Sequence, residues 1–251
     1  MWMLLNTVFP GQNIVRQKSV RGNSMNRVTR TIPAAVCALL FLVTGVFSVK
    51  PVAAANPDPT EQMRPFVQKI VNILTDPELQ GDEQCSRRRQ MVMDVARERF
   101  DFDEMSKRVL GRQWRELSDS EKKTFVGLFT TLLEHAYIGK IEDYSKQTVE
   151  FKSQRIRGDK AQVDTMLLDR DVAIPVSYIM ILEKNDWMVY DIVVEGVSLV
   201  RNYMDQFNEI IRKDGYDSLL ARMKERIKEL EANAGKPCPT DLSVSGDTSG
   251  S

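Results

Sequence analysis

Trp187 to Phe207 reads WMVYDIVVEGVSLVRNYMDQF, a strand, a turn and a helix in direct succession. Asn185-Asp186 ahead of it is a turn pair, and Trp187 to Val194 is dense in β-branched and aromatic residues, the composition of a pleated, half-buried surface. Glu195-Gly196 breaks the strand. Ser198 then stands as N-cap to the stripe Val200, Tyr203, Phe207, Ile210 and Ile211, which recurs at the spacing of one helix face.

Upstream, Ser118 with Glu121 three residues on forms a capping box, followed by Phe125, Leu128, Phe129, Leu132, Leu133, Ala136, Tyr137, Ile141 and Tyr144. That helix would be about 40 Å long. Three shorter helices precede it. The first carries Met63, Phe66, Val67, Ile70 and Leu74 and stops at Asp76-Pro77. The second carries Val92, Val95 and Ala96, and the third Phe102, Met105, Val109 and Leu110 between cap candidates Asp101 and Asp103 and the stop Gly111.

After Tyr144 the apolar period falls from near 3.6 to 2. Four strands are expected, Gln147 to Gln154, Ala161 to Leu168, Ile174 to Glu183 and Trp187 to Val194. The turns between them, at Arg157-Gly158-Asp159, Asp169-Arg170-Asp171 and Lys184-Asn185-Asp186, are short enough for hairpins, so the sheet is an antiparallel meander. The helix from Ser198 ends at Gly215, and a last one carries Leu219, Leu220, Met223, Ile227 and Leu230. Helices, a meander, then helices describe an α+β fold with a four-stranded antiparallel sheet covered by helices on one face.

The front of the chain is built differently. No acidic residue occurs before Asp58, whereas Arg16, Lys18, Arg21, Arg27, Arg30 and Lys50 are basic. Arg27 and Arg30 precede the apolar run Ile32 to Phe47, and Ala53-Ala54-Ala55 offers small residues for cleavage, the layout of a secretory signal peptide over residues 1–55. The competing reading is a retained membrane anchor, but Pro33, Thr44, Gly45 and Ser48 interrupt a run already shorter than the ~20 residues of a span. Met25 sits at the usual distance before such a run, which makes residues 1–24 a candidate start-site artefact. Cleavage after Ala55 leaves one folded domain, 56–232, and a tail, 233–251, too rich in Pro, Ser, Gly and Thr to order itself.

Charge and cysteines exclude several classes. The whole chain has 35 basic and 35 acidic side chains, and losing the front leaves it mildly acidic, a poor match for nucleic acid. Cys37 lies in the signal run without a convincing lipoprotein box, so only Cys85 and Cys238 are open to pairing. Two lone thiols do not make a metal centre. His135, flanking the long helix, is the only histidine and lies outside any His-Glu-x-x-His arrangement; no phosphate-cradling loop and no G-x-S-x-G elbow occurs. No cofactor is expected.

One enzymatic reading remains, in which Asp191, with Tyr178 and Tyr190 nearby in the sheet, works as acid and base inside a cone-shaped pocket. A carboxylate on a strand is more often a cross-strand partner or a cap for a neighbouring loop. Arg87, Arg88, Arg89, Arg97, Arg99, Arg108, Arg112 and Arg115 form a dense cluster. They either decorate solvated helix faces opposite Glu98, Glu104 and Glu116 or present guanidiniums to a phosphate or an acidic partner. A cargo-free envelope module that docks proteins through those helices is the third class.

The segment EGVSLVRNY, Glu195 to Tyr203, beside a strand containing VYD, together with VLGRQWRELSDSEKKTFVGLFTTLLEHAYIGKIEDYSKQTVEF from Val109 to Phe151, resembles the MlaC family of periplasmic phospholipid carriers, once called toluene-tolerance proteins. The resemblance covers about Arg97 to Leu230. One departure is Met204, where a basic residue is expected.

The resemblance implies a cystatin-like or nuclear-transport-factor-like fold with an apolar cavity for acyl chains. It implies a monomeric periplasmic protein without enzymatic activity that shuttles phospholipid between an outer-membrane lipoprotein complex and an inner-membrane ABC transporter, maintaining outer-membrane asymmetry. On the helices the expected lipid-binding residues are Phe102, Met105, Val109, Trp114, Phe125, Phe129, Leu132, Leu133, Tyr137, Leu199 and Tyr203. On the strands and the following turn they are Val163, Val176, Tyr178, Met180, Val189, Val193 and Val197. Arg97, Arg108 and Arg112 are expected at a rim that meets head group or partner. The pliable methionines suit a pocket of variable contents.

Overall fold

The computed structural model describes residues 56–143, 148–169 and 172–234. The signal-peptide expectation, Cys37 and Cys238 lie outside those residues; Cys85 is disulfide-bonded. Helix α1 (Pro59–Thr75) starts at Asp58, whose carboxylate accepts from the N–H groups of Thr60 and Glu61 at 2.8 and 3.1 Å. Helices α2 (Cys85–Arg99) and α3 (Phe102–Leu110) follow. The long helix α4 (Asp119–Asp143) begins with the expected capping box, the Ser118 N–H and hydroxyl both donating to Glu121.

The sheet follows the chain order, every neighbour antiparallel: β1 (Thr148–Arg157), β2 (Lys160–Asp169), β3 (Val172–Glu183), β4 (Asp186–Val194) and a fifth strand, β5 (Val197–Ser198). Four strands were expected. The fifth arises because Glu195 and Gly196 both adopt positive φ, 50° and 81°, which folds Val197-Ser198 back onto Val193-Val194 as a two-residue hairpin. Lys184-Asn185 makes the same kind of turn between β3 and β4, with φ of 48° and 79°. Helices α5 (Leu199–Asp214) and α6 (Tyr216–Ala234) complete the described chain, so the last helix runs two residues past the expected domain end.

Three hydrophobic clusters hold these parts together. The largest joins α3, α4, α5 and α6, where Phe125, Phe129, Tyr203 and Phe207 are wholly buried. Phe129 meets Tyr203 edge-on at 5.2 Å between centroids, a favoured aromatic geometry. In the second, Met63 of α1 covers Ala161, Val163, Met180, Trp187 and Val189 on the sheet. The third ties α1, α2 and α4 through Leu74, Val92 and Ile138.

A β-bulge governs which face each β4 side chain takes. Ile179 pairs with Asp191 but Met180 with Val189, so Tyr190 is extra and the alternation slips by one. Trp187 and Val189 before the bulge therefore share a cluster with Ile192 after it, while Tyr190 joins the helical core. The α2–α3 link is pinned at the same place, the Asp101 N–H donating to the Val189 carbonyl at 2.9 Å. Trp187 anchors the beginning of the described chain: its indole N–H donates to the Pro57 carbonyl at 2.7 Å and its backbone N–H to Gln62 at 2.8 Å.

Candidate functional site

Between the three clusters lies a cavity of about 350 Å³, inside the size range of small-molecule sites, ~300–1,000 Å³. Helix α1 supplies Phe66, Val67, Ile70, Val71 and Leu74, and α2 supplies Val92, Met93 and Ala96. Phe100, Phe102 and Met105 close one side, and the second half of α4 adds Leu133, Tyr137, Ile138 and Ile141. The sheet contributes Val149, Leu167, Ile174, Val176, Tyr178, Ile192 and Val194, and the hairpin into α5 contributes Val197 and Leu199. Among the described residues the only charged one on the lining is Glu134.

Two tyrosine hydroxyls belong to this wall, and both stay neutral at ordinary pH. Burial pushes Tyr137 up to about 12 against the lowering effect of the neighbouring Tyr203 hydroxyl, and burial raises Tyr178 despite the nearby Thr165 side chain. Apart from these hydroxyls and the Glu134 carboxylate, the described wall is apolar. It fits a hydrocarbon, which water rejects and such a surface accepts without an orphaned hydrogen bond.

The eighteen residues expected to touch lipid divide between the cavity and solid protein. Phe102, Met105, Leu133, Tyr137, Val176, Tyr178, Val197 and Leu199 line the cavity. Val109, Phe125, Phe129, Leu132 and Tyr203 instead fill the helical core, because α5 and α6 press onto the first half of α4. Trp114 packs beside that core, with the Lys122 ammonium 5.9 Å from its ring centroid. Val163, Met180 and Val189 lie under Met63, where α1 closes directly on the sheet. Val193 is displaced by the bulge, which turns Ile192 and Val194 to the wall in its place.

The expected basic rim is likewise divided. Arg97 stands beside the cavity, its guanidinium 3.5 Å from the Glu134 carboxylate and 3.0 Å from Asp94. Arg108 lies 3.8 Å over the Tyr190 ring and 2.7 Å from Glu104, at the helical core. Arg112 points into solvent and is 3.5 Å from Glu116.

Asp191 is also off the wall. It accepts from the Ser198 hydroxyl at 2.5 Å and the Val200 N–H at 2.9 Å, tying the start of α5 to the sheet, and burial raises its pKa. Ser198 in turn accepts from the Arg201 N–H at 3.0 Å as the expected N-cap. His135 turns the other way and lies 3.5 Å from Glu231. Among the described residues no helix is long and apolar enough to cross a membrane, and no group of three or more metal-ligating side chains occurs.

The contributions of α1 and α2 were missed as site residues, although the Met63, Phe66, Val67, Ile70, Leu74 stripe was visible. An amphipathic stripe carries no mark that separates a face against solid protein from one against a hollow.

Comparison with known proteins agrees with this architecture. The chain is similar to the intermembrane phospholipid transport system binding protein MlaC of Haemophilus influenzae, 23% identical over 197 residues that make up 76% of this chain and 92% of that protein. It is also similar in structure to a phospholipid-binding protein from Ralstonia solanacearum solved in complex with a phospholipid, with a TM-score of 0.64 and 25% identity, covering 70% of this chain and 99% of that one. The family model for MlaC protein matches residues 64–225, from the middle of α1 into α6 and so across every wall of the cavity, and the chain belongs to the MlaC family.

Proposed function

We propose that this protein is a periplasmic carrier that holds phospholipid acyl chains in the cavity between the sheet and α1, α2 and α4. Removing two ordinary chains from membrane into water would expose apolar surface on the order of 20 kcal/mol, at roughly 0.8 kcal/mol per CH₂. A soluble carrier lowers that barrier by offering a hollow with few polar atoms and leaving the head group near water. The observation that carries this reading is the cavity itself, whose lining among the described residues is apolar save for Glu134 and the tyrosine hydroxyls. The phospholipid bound by the Ralstonia solanacearum relative supports it.

In this reading residues 1–55 are removed on export, 56–232 form the single lipid-binding domain, and the monomer shuttles between an outer-membrane lipoprotein complex and an inner-membrane ABC transporter. The system to which the Haemophilus influenzae relative belongs supports that placement. Outer-membrane lipid asymmetry would be the outcome.

Native mass spectrometry of the gently purified protein tests the cargo. Phospholipid bound to the wild type and absent from a folded Val176→Asp variant is the expected result, because a carboxylate on the wall opposes acyl chains. A folded wild type repeatedly found without lipid after incubation with phospholipid vesicles would refute the reading.

A further inference from the structure

Among the described residues Glu134 is the charged member of the cavity wall, and Arg97 beside the wall meets it. Glu134 lines its wall and is still 22% exposed, while Arg97 is 45% exposed, so the pair marks a place where the apolar wall reaches water. At 3.5 Å the contact is loose, and Arg97 is held more closely by Asp94 at 3.0 Å. Two carboxylates around one guanidinium leave this edge with an excess negative charge. Such an edge repels a head group whose net charge is negative and accepts one that brings its own cation.

We propose that the Arg97–Glu134 pair selects zwitterionic, amine-bearing phospholipids, with Arg97 taking the phosphate and Glu134 the ammonium. This deepens the carrier reading and rests on it. A phosphate and an ammonium joined by a short ethylene bridge are complementary to a guanidinium and a carboxylate on facing helix turns, and swapping the internal pair for the two external ones keeps every charge partnered. Phosphatidylglycerol offers the phosphate and two neutral hydroxyls but no cation, so nothing in it balances the charge of Glu134 once Arg97 has turned to the phosphate. The selectivity is modest because the site is half open to water.

The test incubates the full-length mature protein with vesicles of equal phosphatidylethanolamine and phosphatidylglycerol, matched in acyl chains, and reads the head groups of bound lipid by native mass spectrometry. The amine lipid is expected to be enriched about fivefold over the vesicle ratio in the wild type. Glu134→Gln is expected to bring the ratio close to that of the vesicles, and Glu134→Lys to turn it toward phosphatidylglycerol. Glu98→Gln changes net charge equally at a carboxylate that is 2.6 Å from Lys69 and off the wall, and is expected to keep the wild-type ratio. A wild-type ratio equal to that of the vesicles overturns the proposal, as does a shift in Glu98→Gln as large as in Glu134→Gln. Both results leave the carrier reading standing, whereas a wild type that takes up neither lipid removes the two together.

Discussion

The two halves of α4 are made of similar residues and end in opposite surroundings. Phe125, Phe129 and Leu132 have no exposed surface and interlock with Tyr203, Phe207 and the side chains of α6. Tyr137 and Ile141, farther along the same helix, face a hollow bounded by α1, α2 and the sheet. What differs is the opposing element. Helices α5 and α6 bring large side chains to close range, as packed helices do, whereas the sheet is held to the helices under Met63 and at the start of α5 by Asp191 and leaves space beyond those anchors. A solid core and a binding cavity are thus neighbouring outcomes of one amphipathic stripe.

Introducing the same charge on either side of that divide gives the largest contrast. Leu132→Asp places a carboxylate among wholly buried aromatics and is expected to cost more than about 4 kcal/mol, enough to prevent folding. Val176→Asp faces the cavity, where water can follow the charge, and is expected to cost about 1 kcal/mol while expelling lipid. Urea unfolding of both variants checks this, and similar midpoints would erase the distinction between core and cavity.

A smaller effect sharpens the boundary at the bulge. Asp191→Ala leaves the Ser198 hydroxyl and the Val200 N–H without their acceptor at the start of α5, a loss of about 2 kcal/mol by denaturant unfolding. Its lipid content is expected to match the wild type, because Asp191 serves the helix junction and is off the wall. Loss of cargo at unchanged stability would instead assign Asp191 to the site.

The smallest effect lies at the start of α1. Asp58 is held below the ordinary carboxylate value, chiefly by the Gln154 amide and then by the N–H groups of Glu61 and Thr60. A group with a lowered folded pKa contributes stability above its unfolded value and loses it as pH falls through the folded one. Asp58→Ala is therefore expected to cost about 1 kcal/mol at neutral pH, with the difference from wild type closing as pH falls below 3.8. Chemical unfolding across that range measures it, and a constant difference would place the role of Asp58 outside its charge.

Local chemistry was legible in the residues themselves. Ser118 with Glu121, Ser198, Gly111 and Gly215 end or begin helices as their side chains and backbone freedom dictate. The hairpin at Lys184-Asn185 follows from turn chemistry, and the fold class from the change of period after Tyr144. Glu195-Gly196 was legible only as a break, since a strand of two residues is too short to show alternation.

The site was legible in part. Val176 and Tyr178 lie on an uninterrupted stretch of β3, and the structure places both on the wall, while Val193 lies beyond a bulge that no residue type announces. Likewise Phe129 and Tyr137, eight residues apart on one helix, carry no local sign of which meets protein and which meets a hollow.

By itself the sequence determined where helices and strands begin, which faces are apolar, and the absence of a phosphate-binding loop or hydrolase elbow, because these depend on neighbours along the chain. Only the tertiary structure decided which apolar faces meet, where the bulge turns Ile192 inward, and that Arg97 reaches Glu134 across two helices. Those outcomes depend on distances between segments far apart in the chain, and a cavity is the space such segments leave between them.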